Sequence, residues 1–249
     1  MMMFHPKGPT FWELARQALS STEQGYDLLS QKFDHTPFRT PDVILQIAAE
    51  QTARLGPCGT ALDICCGTGA AMQALRPHCS GLLVGLDRSR GMLQVAQRHL
   101  ADHPGEAQVA FVRADALRMP FAGSFDVAVS FGALGHILPV DEPRFVRQIK
   151  RVLRPGGRFV FVTTTLPPLW SFRRLAAHAF NAAMRVRNAI LRPPFIMYYL
   201  TFLLPQVQKL LEREGFDVEI RPGVFPGRYQ PLQLVIATKR SMDSCTPRL

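Results

Sequence analysis

The run Ala61-Leu62-Asp63-Ile64-Cys65-Cys66 ends in Gly67-Thr68-Gly69, and a helical pattern begins near Ala70. A strand that stops in Gly-x-Gly lets a ligand approach the backbone where a side chain would block it. The helix that follows offers unpaired N–H groups at its start. Eighteen residues past Gly69, the apolar stretch from Leu82 closes on Asp87. A carboxylate at such a strand tip can accept hydrogen bonds from both hydroxyls of a ribose, and its competing reading is a helix cap for the segment from Ser89 to Leu100. Val109 to Arg113 leads into Asp115, and Phe125 to Ser130 leads into Phe131-Gly132. His136, six residues beyond Ser130, is the candidate general base, with a helix-start or supporting histidine as the alternative. Tyr26 and His35 are candidates for closing over a ligand from the N-terminal side.

These positions converge only if their strands run parallel. Strands linked by helices place their C-terminal ends on one rim, so Asp115 and the Ser130–Gly132 backbone would border the pocket floored by the glycine turn. The intervening pattern supports that arrangement. Residues 10 to 32 carry apolar positions at helical spacing, residues 33 to 41 form a loop with two proline breaks, and Thr40-Pro41 reads as a cap and first position for a helix to about Arg54. A helix from Asp141 to Leu153 is closed by Arg154-Pro155-Gly156-Gly157, and Arg158 to Thr165 is a fifth strand. The length suits one α/β domain with an insertion.

The net charge of +10 is local. No Asp or Glu occurs from Pro143 to Leu211, where twelve Lys or Arg fall, while the rest of the chain has 17 basic against 19 acidic residues. Such a face attracts phosphates of nucleic acid or of anionic lipid. Cys58, Cys65, Cys66, Cys79 and Cys245 show no Cys-x-x-Cys pair and no His cluster, so no metal is expected and a reducing cytoplasm is. Met1 to Lys7 lacks the apolar core of a signal peptide.

With Leu62-Asp63-x-x-x-Gly67-x-Gly69, Asp87, Met92-Leu93-x-x-Ala96, Asp115 with Met119-Pro120-Phe121, Phe125-Asp126 and Leu153-Arg154-Pro155-Gly156-Gly157 in this order, the chain resembles the class I S-adenosylmethionine-dependent methyltransferases over roughly residues 60 to 165. The resemblance implies a Rossmann-like three-layer α/β sandwich with a seven-stranded, mostly parallel sheet, N-terminal helices and a helical insertion after strand five. The single domain then divides into an N-terminal helical cover (1–56), a cofactor-binding core (57–165), a helical cap insertion (166–204) and a C-terminal helix with a strand pair (205–240). It also implies S-adenosyl-L-methionine as cofactor, with S-adenosyl-L-homocysteine as product. Asp63 and the Gly67–Gly69 backbone, with Cys65 and Thr68, would hold the methionine end, and Asp87 the ribose. Arg88 and Met92 would lie by the adenine, Asp115 and Ala116 would meet its amino edge, and Ser130 and Phe131 would line the methyl-donor side. The usual first glycine of the turn is Cys65 here. That spelling and Phe131-Gly132 look like the isoprenoid-quinone C-methyltransferases, whose Phe-Gly continues as Leu-Arg-Asn where this chain has Ala133-Leu134-Gly135-His136. A nicotinamide-binding fingerprint would need glycine at position 72, which is Met72.

Within the insertion, Arg174, His178, Asn181, Arg185, Asn188 and Arg192 recur at helical spacing and define one face. Phe172, Leu175, Ala176, Ala179, Ala183, Val186 and Ile190 define the other. The simplest packing buries the apolar face and leaves the arginine stripe in solvent. Phe195 to Leu204 is uncharged, too short for a bilayer span and long enough to roof an apolar pocket, with Trp170, Tyr198 and Tyr199 as its aromatic candidates. Methyl transfer from a sulfonium is an in-line displacement with an activated leaving group, so alignment of a small, largely apolar acceptor is the main task. The expected protein is cytoplasmic, with transient contact with an anionic membrane through its arginine stripe, and not a nucleic-acid binder, since the aromatic run from Phe195 follows the stripe rather than interleaving with it. The reading from another class is a basic lipid- or nucleic-acid-binding protein that keeps the fold without turnover.

Overall fold

The computed structural model of the chain describes residues 5–241. Cys245 and Met1 to Phe4 lie outside the described residues. The elements run in the order α1 (Phe11–Leu19), α2 (Thr22–Leu29), α3 (Asp42–Ala53), β1 (Thr60–Ile64), α4 (Ala70–Leu75), β2 (Leu82–Asp87), α5 (Arg90–Ala101), β3 (Gln108–Arg113), β4 (Phe125–Ser130), α6 (Glu142–Val152), β5 (Leu153–Thr163), α7 (Phe172–Ile190), α8 (Gln206–Arg213), β6 (Phe216–Pro222) and β7 (Gln233–Lys239).

The strands form one seven-stranded sheet in the order β3-β2-β1-β4-β5-β7-β6. β1 to β5 pair in parallel, and β7 runs antiparallel to both β5 and β6. The order reverses between β1 and β4, and a crevice at that switch point is where open α/β sheets bind ligands. The central strands are apolar on both faces because both faces are covered. One face packs Phe145, Val146 and Ile149 of α6 and Val207 and Leu211 of α8 on Leu62, Phe159 and Phe161. The other packs Ile44 and Ala48 of α3, Met72 of α4 and Leu93 of α5 on Ala61, Leu83 and Val127.

Several local expectations are corrected. Residues 33 to 35 belong to a 3₁₀ turn, Ser30–His35, rather than to a loop. Thr40 does not cap α3: Pro41 occupies the cap position and no side chain bonds the helix start. Ser89, not Asp87, caps α5 by accepting from the Met92 N–H at 3.0 Å. The Arg154–Gly157 stop is part of an irregular β5, whose register with β4 shifts between Phe125 and Val127.

The N-terminal helices are held to the core by three acids. The Asp27 carboxylate accepts from the Ser89 hydroxyl and, at 2.8 Å, from the Gly91 N–H. Glu23 pairs with Arg113 at the end of β3. Asp34 accepts from the Thr68 hydroxyl at 2.6 Å and pairs with Arg39 at 3.2 Å. Apart from the Asp34–Arg39 pair, each contact joins segments far apart in the chain.

Helix α7 is turned the opposite way from the simplest packing. Asn181 donates to the Tyr199 carbonyl and accepts from the Tyr199 N–H, both at 2.8 Å. Asn188 does the same for Phe195, at 2.9 Å in both directions. Arg187 donates to the carbonyls of Ala18, Ser20 and Pro193, and Arg174 to that of Pro167. Residues 191 to 204 contain no helix or strand of their own. Their backbone groups need partners when buried, and the polar face of α7 supplies them.

Candidate functional site

A cleft of about 960 Å³, measured out to its mouth, opens at the C-terminal ends of β1, β2 and β4 beneath the N-terminal cover. Its floor is the turn after β1. Gly69 begins α4 in the left-handed region at φ +83°, which favours glycine, and a Cβ there would crowd Leu100 Cδ2 at 2.9 Å and Ala96 Cβ at 3.1 Å. Cys65 also sits at φ +61°, a conformation that costs a non-glycine residue about 1–3 kcal/mol. Replacing it by glycine returns that strain against about 0.4–1 kcal/mol of added chain entropy. Cys65→Gly is therefore expected to keep or raise the thermal midpoint, while β-branched Cys65→Val lowers it; a melting curve of each checks this.

The electrostatics of the floor are unusual. Asp63 is only 1% exposed, and its Oδ2 has no hydrogen-bond partner. Burial, with the charge of Asp87 added, pushes its carboxyl well above the ordinary carboxylate range. Asp87 is also raised by burial, but it accepts at 2.9 Å from the Gly67 N–H and at 2.9 Å from the Ser89 N–H, which oppose the shift. Both acids line the cleft. An unpartnered buried carboxylate asks for a cation, and a second carboxylate locked by two backbone donors presents its remaining lone pairs to a ligand's hydroxyls.

At the other end of the cleft, the Tyr26 hydroxyl lies 2.7 Å from His136 Nε2, and His136 Nδ1 lies 2.5 Å from the Ile196 carbonyl. A carbonyl can only accept, so Nδ1 carries the proton and Nε2 accepts from the tyrosine. Burial lowers the histidine's pKa and raises the tyrosine's, so both are neutral near pH 7. Phe33 and Phe195 pack on the Tyr26 ring, and the walls here include Phe38, Phe131 and Ala133.

Of the residues selected from sequence, Tyr26, Asp63, Cys65, Gly67, Thr68, Asp87, Arg88, Met92, Phe131 and His136 are brought together around this one cleft. Asp115 is not among them. It borders a neighbouring hollow with Arg113 and Ala114, and the two hollows share Arg88 and Glu23, whose 3.6 Å ion pair stands between them. Ala116 is buried in the apolar core. Ser130 is buried too, and its hydroxyl donates to the Ile64 carbonyl at 3.0 Å, so Phe131 to Ala133 take the lining position. Gly69 packs on α5 behind the turn. His35 stacks on His5, with ring centroids 4.7 Å apart. Trp170 is 99% exposed and Tyr199 packs on Phe180, while the Tyr198 hydroxyl bonds Asn188; none of the three lines the cleft. The roof consists instead of Thr22, Phe33, Phe38, Arg39 and Thr40 of the N-terminal cover. Their roles arise from long-range docking and left no local pattern; the acids of residues 23 to 34 were the available signal. Among the described residues no group of His, Cys, Asp and Glu could hold a metal ion.

A family model described as a methyltransferase domain matches residues 61–157. Demethylmenaquinone methyltransferase of Clavibacter sepedonicus is 36% identical over 161 residues, covering 60% of each chain. The protein of the same name from Geobacillus kaustophilus is 31% identical over 181 residues, covering 66% of this chain and 74% of its own. The chain spans 59% of the length of another relative so named, from Symbiobacterium thermophilum. Among solved structures, an O-methyltransferase family protein from Burkholderia thailandensis superposes with a TM-score of 0.66 at 15% identity, covering 93% of this chain and 68% of that one. That likeness concerns the fold.

Proposed function

Since the chain belongs to the class I S-adenosylmethionine-dependent methyltransferases, we propose that it methylates a small, largely apolar acceptor, and that this acceptor is a ring of the isoprenoid-quinone precursor type. The observation that carries the reading is the division of one cleft into a charged floor and an aromatic end holding a neutral imidazole. S-adenosylmethionine, when bound, supplies a methyl group on a positively charged sulfur. The residues present fit it: the unpartnered Asp63 Oδ2 suits a cationic group, and Asp87 suits a pair of hydroxyls. Phe33, Phe38 and Phe131 exclude water and orient a flat apolar acceptor. His136 Nε2 is the base that takes a hydroxyl proton from the ring once that hydroxyl displaces Tyr26 from its lone pair, and loss of the proton raises the nucleophilicity of the adjacent ring carbon. The relatives' name and the apolar end of the cleft both support a quinone-type ring.

The test joins calorimetry to turnover. Wild type is expected to bind S-adenosylmethionine and to move its labelled methyl group onto a reduced, short-chain demethylmenaquinone. Asp87→Ala removes an acceptor of two hydroxyl hydrogen bonds, each about 1.5–3 kcal/mol when one partner is charged, so affinity should drop by roughly a hundredfold or more. Unchanged affinity in that variant rejects the ribose role. Cofactor binding without a labelled product rejects the acceptor, and a fold that binds neither supports the non-enzymatic alternative.

A further inference from the structure

The apolar stripe of α7 faces out. Phe172, Leu175, Val186 and Ile190 are 83, 67, 59 and 74% exposed, and the alanines between them, Ala179, Ala182 and Ala183, are exposed as well. An amphipathic helix on a water-soluble domain buries that stripe. Here the polar face is spent on the backbone of residues 193 to 199, and among the described residues the apolar face is left to solvent. Helix α1 repeats the pattern: Phe11, Trp12 and Leu19 are exposed while Gln17 is buried. Arg187 ties the end of α1 to α7 through the Ala18 and Ser20 carbonyls.

We propose that the outer face of α7, with α1 beside it, docks on an anionic lipid bilayer. Charge selects this occupant. Arg173, Arg185 and Arg192 are exposed on or next to α7, and no acid occurs from Pro143 to Leu211. A cationic rim around an apolar stripe suits acidic headgroups over acyl chains. A second copy of the chain, meeting this one stripe to stripe, would bring the same arginines together and repel. The helix also backs the acceptor end of the cleft: the loop it holds supplies the Ile196 carbonyl to His136 and the Phe195 ring to Tyr26. No helix among the described residues is long and apolar enough to cross a membrane, so the contact is with the surface. This deepens the reading of a greasy acceptor by naming where the protein would meet it, but it is measured without turnover.

The experiment is flotation of the full chain with vesicles of phosphatidylcholine, alone or mixed with phosphatidylglycerol, at low and high salt. Wild type is expected to float with the mixed vesicles and to be released by salt. The triple variant Phe172→Gln, Leu175→Gln, Ile190→Gln and the double variant Arg173→Gln, Arg185→Gln should each bind at least about tenfold more weakly. Both should keep S-adenosylmethionine binding by calorimetry, since these side chains are exposed and outside the cleft. Wild type that fails to float, or a triple variant that floats equally well, overturns the proposal. So does a wild-type dimer that the triple variant turns monomeric without any vesicle binding, which would give the face to a second copy. Loss of cofactor binding in wild type would count against the proposed function and leave the flotation result to stand by itself.

Discussion

Asp63→Asn is expected to stabilise the protein in the absence of cofactor and at the same time to weaken S-adenosylmethionine binding severely. The buried Oδ2 of Asp63 has no partner, and asparagine leaves a polar atom in its place but removes the larger cost of burying an unpaired charge. The stabilisation has a pH signature. A carboxyl whose folded pKa lies above its unfolded value of about 3.9 holds its proton in the folded state over the window between the two. Stability therefore falls as pH rises through that window and levels off above the folded pKa. The asparagine variant does not titrate here, so its advantage should be absent below the unfolded pKa, grow across the window and level off above the folded pKa. Glu142, also raised by burial, acts in both proteins and cancels in the difference, whereas Asp87 loses a like-charged neighbour in the variant, which adds to the same gain. Urea midpoints of the two proteins across pH measure it. If Asp63 holds the cationic methionine end, removing its charge costs about 2–5 kcal/mol of binding, roughly thirtyfold to several thousandfold. A variant that gains stability and keeps its affinity would place the cation elsewhere. A variant that is less stable at neutral pH would mean that the carboxylate has a partner in solution.

The strand ends and the glycine turn are local matters, fixed by apolar runs and by backbone conformations that few residues adopt, and Gly67, Asp87 and Phe131 could be placed on one rim from spacing. Cys65 shows how far that goes: its position in the turn was legible, but its left-handed backbone was not. Phe125-Asp126 and Leu153-Arg154 were legible as motifs, yet they act far from the cleft. There Asp126 accepts from the Gly59 and Thr60 N–H groups and pairs with Arg154 at 2.7 Å, clamping the N-terminal ends of the strands. The orientation of α7 could not be read, because helical periodicity separates two faces without saying which one turns inward. Hydrophobicity voted for the apolar face, and the hydrogen-bond demand of the irregular loop at 193 to 199 decided for the polar one. Trp170 failed as a roof for the same reason, since burial depends on what lies opposite a residue and not on its type.

His136→Ala should reduce the rate of methyl transfer by about 10²–10⁴-fold, the usual worth of a positioned acid or base, with cofactor affinity changed little. The imidazole sits with its Nδ1–H committed to Ile196 and its Nε2 lone pair directed at Tyr26, so the tautomer needed of a base is fixed before any acceptor arrives. Burial lowers its pKa, and the Ile196 carbonyl only partly offsets the shift. The active, unprotonated form therefore persists to lower pH than for a histidine in water. The pH–rate profile of wild type should stay flat down through the ordinary histidine value near 6.5 and fall only below it. Tyr26→Phe separates the two groups. Tyrosine, with its pKa raised by burial, stays protonated and cannot serve as the base, but it does hold the ring in place. Its loss should cost about tenfold or less, well under the loss at His136, and leave the acidic limb of the profile in position. A profile whose acidic limb does not move in His136→Gln, or a Tyr26→Phe variant as inactive as His136→Ala, would take the proton away from the imidazole and give it to the phenol.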